Sequence, residues 1–268
     1  MSKFNWRSFL FWTLIAALLL YMTLPAIVVI MASFNPGEVL SFPPNGLSVR
    51  WYIKAVTYPD FQIAFKNGVI VAALASTLAL VFGSAVALLV SRYYFTGRGL
   101  LETILSAPLI VPHFTTGFGF LLLGAHLGIT QTYLIIVMAH VVLVLPFVTR
   151  AVYVSLQNID PNLERAAANL GASPIKSLWR VTLPLMLPGM AGGWLVATIL
   201  SFTEFSASLY VTASRTQTLP VAMYNYIREY TDPTIAAISA LLIVITTLIM
   251  IVANRFLGLR KILAIESH

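Results

Sequence analysis

Glu204 is the residue of this sequence with the plainest chemical purpose. Among nine acidic residues it alone falls well inside an apolar stretch, Pro188 to Tyr210. A carboxylate at the centre of a membrane helix costs about 2.5–3.5 kcal/mol on insertion scales, so it must face protein or water. There it would attract a cation such as an amine. On a helix of 100° per residue Glu204 falls between Ala197 and Ser201 in angle, with Ser208 nearby. Gly189, Gly193, Ala197 and Ser201 recur every four residues on that same face. Two readings of the face stay open. It is either a close-packing seam with Glu204 hydrogen-bonded to a neighbouring helix, or the lining of a route formed by Ser201, Thr203, Glu204 and Ser208. His113, Thr115 and Thr116 follow Pro112 in another apolar stretch, where a broken helix would open backbone to a cavity. They are secondary candidates for the same route, while His140 and Pro146 read as packing and kinking residues.

Several other chemistries are excluded. The chain has no cysteine and its four histidines are dispersed, which leaves no disulfide framework, no thiolate metal site and no H-E-x-x-H spacing. It lacks a G-x-x-x-x-G-K-[ST] phosphate loop, so ATP hydrolysis must come from elsewhere. An intramembrane enzyme would need facing catalytic pairs, and only isolated candidates occur. A secondary transporter would couple through intramembrane acids. A single such acid and the absence of an evident inverted repeat argue against it.

The elements that must hold these residues are membrane helices. The chain is 59% hydrophobic and only 9% charged, far from the roughly 25% charged of soluble domains. Its 16 Lys and Arg are scattered between apolar runs and form no stripe for nucleic acid. A bilayer core takes about 20 apolar residues as helix. Six stretches qualify: Phe9 to Met31, Gly68 to Val90, Ile104 to Leu123, Tyr133 to Tyr153, Pro188 to Tyr210 and Ile235 to Leu257. The third is the weakest, interrupted by Pro108, Pro112 and His113. The first reads as a retained helix because it exceeds the apolar core of a signal peptide. With the N-terminus inside, Lys3, Arg7, Arg92, Arg98, Arg150, Arg165, Lys176, Arg180, Arg255, Arg260 and Lys261 are cytoplasmic, 11 of the 16 cations. That bias places both termini inside. The expected fold is all-α: a polytopic membrane protein, one transmembrane domain over residues 1–268. The loop from Ala32 to Asn67 carries turn chemistry at Asn35-Pro36-Gly37. Its aromatics suit a membrane interface, and Tyr224, Tyr226 and Tyr230 form either such a belt or part of a surface that receives a substrate-binding protein.

The cytoplasmic loop over residues 158–182 is more specific. Asp160 with Pro161 makes an N-cap followed by proline at the first helical position, Gly171 is placed to end that helix, and Ser173 with Pro174 starts another. From Arg165 the row reads R-A-A-A-N-L-G, and Val181, Leu183 and Pro184 follow Gly171 at the spacing of E-A-A-x-x-x-G-x9-I-x-L-P. This resembles the EAA loop of permease subunits in ATP-binding-cassette (ABC) importers. Arg165 stands at the signature glutamate, with Glu164 one residue earlier. Ser33-Phe34-Asn35, Trp51-Tyr52, Leu145-Pro146-Phe147, Ser201-Phe202-Thr203-Glu204-Phe205 and Thr218-Leu219-Pro220 extend the resemblance to the spermidine/putrescine-type branch.

The resemblance implies a type I ABC importer permease fold in a bacterial inner membrane. It implies a second, homologous permease, two ATPase subunits that bind ATP and Mg, and an extracytoplasmic substrate-binding protein. The chain itself would hold no cofactor. Glu164, Arg165, Ala166, Ala167, Gly171, Leu183 and Pro184 would form the ATPase-docking element. A polyamine is the substrate implied, although related permeases also carry ferric ion, thiamine and aminophosphonates.

Overall fold

A computed structural model describes residues 6–39 and 41–257, and every regular element among them is helical. Lys3, Arg260 and Lys261, three of the orienting cations, lie outside the described residues. In chain order the helices are α1 (Trp6–Ala32), α2 (Arg50–Thr57), α3 (Pro59–Arg92), α4 (Arg98–Ser106), α5 (His113–Leu127), α6 (Tyr133–Gln157), α7 (Pro161–Asn169), α8 (Pro174–Ser177), α9 (Leu183–Phe202), α10 (Ser208–Val211), α11 (Leu219–Glu229) and α12 (Thr234–Leu257). A π-helical turn, Leu178–Thr182, joins α8 to α9. Its wider winding suits Pro184, whose ring would crowd the carbonyl of Arg180 in a regular α-turn.

Among the described residues, five elements are long and apolar enough to cross a membrane: α1, α3, α6, the run Pro174–Phe202, and Thr234–Ile251 of α12. Two expected spans are corrected. Ile104 to Leu123 is not one helix but part of a pair, Arg98–Leu109 and His113–Leu127, bent by 102°. Pro112 causes the break: it has no N–H, disfavours helix at Val111, and sits at ψ 134° as the residue before α5. Pro188 to Tyr210 is broken as well, because α9 ends at Phe202 and the chain resumes as α10 at Ser208.

The described residues group into two compact units, one holding the chain up to Phe61 with Met223–Thr247, the other Gln62–Ala222 with the end of α12. In the first unit the stretch from Ala32 to Phe61 is more ordered than its turn chemistry suggests. Asn35 makes the expected turn, its Oδ1 accepting from Gly37 N at 3.0 Å, and its carbonyl accepts from Trp51 Nε1 at 2.7 Å. Trp51, Phe61 and Tyr226 are buried, so they are packing residues and no interface belt. Tyr226 touches Tyr58, Phe61 and Tyr230. Lys54 Nζ reaches Asp232 at 2.6 Å.

The second unit is built on α6 against α9. Val144, Val148, Val152 and Leu156 of α6 form its core with Ala79 and Ala87 of α3 and Met186 and Ala197 of α9. The small face of α9 is what lets the helices meet. A Cβ at Gly189 would lie 2.3 Å from Ser155 Cβ, and one at Gly193 would lie 3.1 Å from Ala151 Cβ. The four-residue repeat of small side chains is therefore a packing seam within this chain.

Candidate functional site

Glu204 lies in the gap between α9 and α10, so the helical-wheel placement made for it does not apply. Thr203 leaves the helix at φ −93°, ψ 1°, its Oγ1 bonding back to the carbonyl of Ile199 at 2.9 Å. Glu204 Oε1 then accepts from Ala207 N at 2.8 Å. The acid thus holds the turn between α9 and α10. Its other oxygen, Oε2, lies 2.8 Å from His113 Nδ1. His113 is the first residue after the Pro112 break, so two helix breaks, 91 residues apart in sequence, converge on one histidine–carboxylate pair.

Close approach of α5 to α10 depends on Gly117. A Cβ there would lie 2.6 Å from Ala207 Cα and 2.7 Å from Ala207 O. Any side chain would drive the two segments apart. The pair is open on one side, the His113 side chain being 45% exposed and that of Glu204 11%. Thr115 and Thr203 are also exposed. A carboxylate so placed, with lone pairs left over from its two neighbours, is suited to receive a cationic group.

Ser201 and Ser208, expected on the route, are instead buried against α6. His140, read from sequence as a packing residue, is fully buried and bridges them, with Nδ1 2.8 Å from Ser201 Oγ and Nε2 2.9 Å from Ser208 Oγ. The hydroxyl of Ser208 donates to the carbonyl of Glu204 at 3.0 Å. His140 therefore fastens both sides of the gap that holds Glu204, a role only the three-dimensional arrangement shows.

The docking hairpin forms as its capping residues dictate. Asp160 Oδ1 accepts from Asn162 N at 2.9 Å, and Pro161 opens α7. Gly171, at φ +83°, ends it with Gly171 N on Ala168 O and Ala172 N on Ala167 O. That bonding pattern is a Schellman motif, which needs the left-handed residue glycine supplies. Ser173 caps α8 through Lys176 N. Leu183 packs on the α6–α9 core, and Pro184 is exposed. Glu164 is engaged within the chain. Its Oε1 accepts from Arg92 Nη2 at 2.7 Å and from Thr182 Oγ1 at 2.7 Å. The acid thus ties α7 to the end of α3 and to the π turn, while Arg165 and Ala166 are exposed and Ala167 is half-buried. In the sequence Arg92 bears only on orientation, and nothing in its neighbourhood announces a partner 72 residues away.

Comparison with known proteins agrees with this architecture. Residues 79–259 match the family described as binding-protein-dependent transport system inner membrane component. The spermidine/putrescine transport system permease protein PotC of Escherichia coli (strain K12) is 29% identical over 249 residues, covering 91% of this chain and 92% of that protein. The putrescine transport system permease protein PotI of the same organism is 28% identical over 241 residues, with 87% and 85% covered. Among solved structures, a bacterial ABC transporter involved in import of the acidic polysaccharide alginate has a chain that aligns at a TM-score of 0.70. It is 18% identical, with 96% of this chain and 99% of that one covered. Such permeases work with a second permease, a separate ATPase and a periplasmic binding protein. The present chain belongs to the binding-protein-dependent inner membrane component family, and is a multi-pass permease subunit of an ABC importer.

Proposed function

We propose that this permease imports a polyamine, such as putrescine or spermidine, or a closely related small cationic amine. The observation that carries the reading is the Glu204 carboxylate, held at the meeting of two helix breaks with one side open beside His113. A substrate ammonium would be received there by a charge-assisted hydrogen bond, with Thr203 and Thr115 bordering the approach. Ser201 and Ser208 support the site through His140. The names of the PotC and PotI relatives support the substrate class.

In this reading the chain forms its passage with a homologous second permease in a bacterial cytoplasmic membrane, both termini inside. An extracytoplasmic binding protein delivers the substrate. Two ATPase subunits bind ATP and Mg and engage the hairpin of α7 and α8 through residues 164–171, with Leu183 and Pro184 linking it to α9. The test is ATPase activity of the complex reconstituted in vesicles, titrated with putrescine and spermidine. Stimulation in the wild type that is lost in Glu204→Gln is the expected result. No stimulation by any polyamine overturns the substrate class, and an unchanged half-saturation in Glu204→Gln overturns the site.

A further inference from the structure

Glu164 and Arg165 stand side by side where the docking signature carries its acid, and the helix turns them to different sides. At 100° per residue, Glu164 shares the inner side of α7 with Ala167, and both are half-buried. Asn162, Arg165, Ala166 and Asn169 share the outer side, and all four are exposed. The inner carboxylate is already engaged through Oε1 by Arg92 and Thr182, so its charge is balanced within the chain. Among the described residues the outer guanidinium meets only Asn162 Oδ1, at 3.3 Å. Among the described residues no acid lies within ion-pair distance of Arg165, Lys176 or Arg180. Leu170, 90% exposed, stands just past the end of α7. The knob therefore offers an apolar tip flanked by unneutralised cations.

We infer that the ATPase subunit engaging α7 carries a carboxylate in its docking groove opposite Arg165, so that the polarity of this contact is the reverse of one made by the signature glutamate. The inference rests on the reading that α7 docks the ATPase, and it names the chemistry of that partner. A groove lined by cations would repel this face, and an apolar groove would strip water from Arg165 without repayment.

The experiment uses the assembled complex of both permeases with the ATPase, immobilised through this chain and washed at rising salt. ATPase retention should fall steeply with salt for the wild type. Arg165→Glu should lower retention by about tenfold or more, Arg165→Lys should keep most of it, and replacing the opposing groove carboxylate by Lys should restore binding to Arg165→Glu. Leu170→Asp separates the two levels of the argument. If Leu170→Asp releases the ATPase while Arg165→Glu retains it as the wild type does, the charge assignment is wrong and docking stands. If Leu170→Asp also leaves retention unchanged, α7 is not the docking element.

Discussion

Replacing His140 by Phe isolates what holds the Glu204 gap in place. The phenyl ring keeps a flat aromatic group, one ring atom larger than the imidazole, but removes both hydrogen bonds, at 2.8 Å to Ser201 and 2.9 Å to Ser208. Side-chain bonds between membrane helices average about 0.6 kcal/mol and reach about 1.7, so the pair should cost roughly 1–3 kcal/mol. Ser208 keeps its bond to the Glu204 carbonyl, which holds the loss toward the lower half of that range. His140→Ala also leaves a void among fully buried neighbours and should cost about 3–5 kcal/mol, as truncation of a buried ring does. Thermal unfolding of the purified complex should rank wild type above His140→Phe above His140→Ala. The double variant His140→Phe with Ser208→Ala should lose less than the sum of its parts. Amine-stimulated ATPase should fall with the first substitution, because α10 and the Ala207 amide that anchors Glu204 are no longer held. A His140→Phe protein that melts with the wild type, or a double variant additive within about 0.5 kcal/mol, would refute this account.

Gly117→Ala should force α10 back by roughly 0.8 Å, stretching the His113–Glu204 contact from 2.8 Å beyond hydrogen-bonding range. We expect a loss of about 1–3 kcal/mol and weaker amine stimulation, and wild-type values for both would contradict the geometry. Glu164→Gln and Arg92→Gln should couple by about 1–2 kcal/mol in a double-mutant cycle read by thermal unfolding, since the pair is about three-quarters buried; strict additivity would show that the contact does no work. At Asp232, burial pushes the carboxyl up, but hydrogen bonds from Lys54, Thr234 and Tyr226 outweigh it and hold the group below the ordinary carboxylate range. A depressed folded pKa gives stability that is complete above about pH 4 and lost as pH falls through the folded value. Hydrogen-exchange protection of α2, corrected for intrinsic rates, should be level from about pH 5 to 8 and fall only below about pH 4. Asp232→Asn should lower the plateau and abolish that fall, and a decline already between about pH 5 and 7 would assign the pH response to another group.

The membrane helices were legible because an uninterrupted apolar run has few other fates, and α1, α3, α6 and α12 contain the expected stretches. The docking hairpin was legible for a local reason: Asp160, Pro161, Gly171, Ser173 and Pro174 each act within a few residues of their own position. The break at Phe202 was not. Thr203 and Glu204 do not forbid helix, and only the pull of His113, His140 and the Ala207 amide makes leaving it favourable. His113 and Glu204 were both named as route candidates, but their pairing depends on the bend at Pro112 and the bare surface of Gly117. The inward turn of Glu164 likewise waits on Arg92, a partner in a different helix.

The glycine seam between α6 and α9 also bears on mechanics. Where Gly189 meets Ser155 and Gly193 meets Ala151, no long side chains stand between the backbones to flex and absorb displacement. The hairpin of α7 and α8 hangs between these two rods, and His140 with Ser201 pins them together toward their other ends. At 1.5 Å per residue α6 is roughly 37 Å long. A push on α7 would then move α6 and α9 as a joined pair with Glu204 near its far end, so a small tilt at one membrane face is carried along the seam toward the site, with Pro146 the place where α6 can bend.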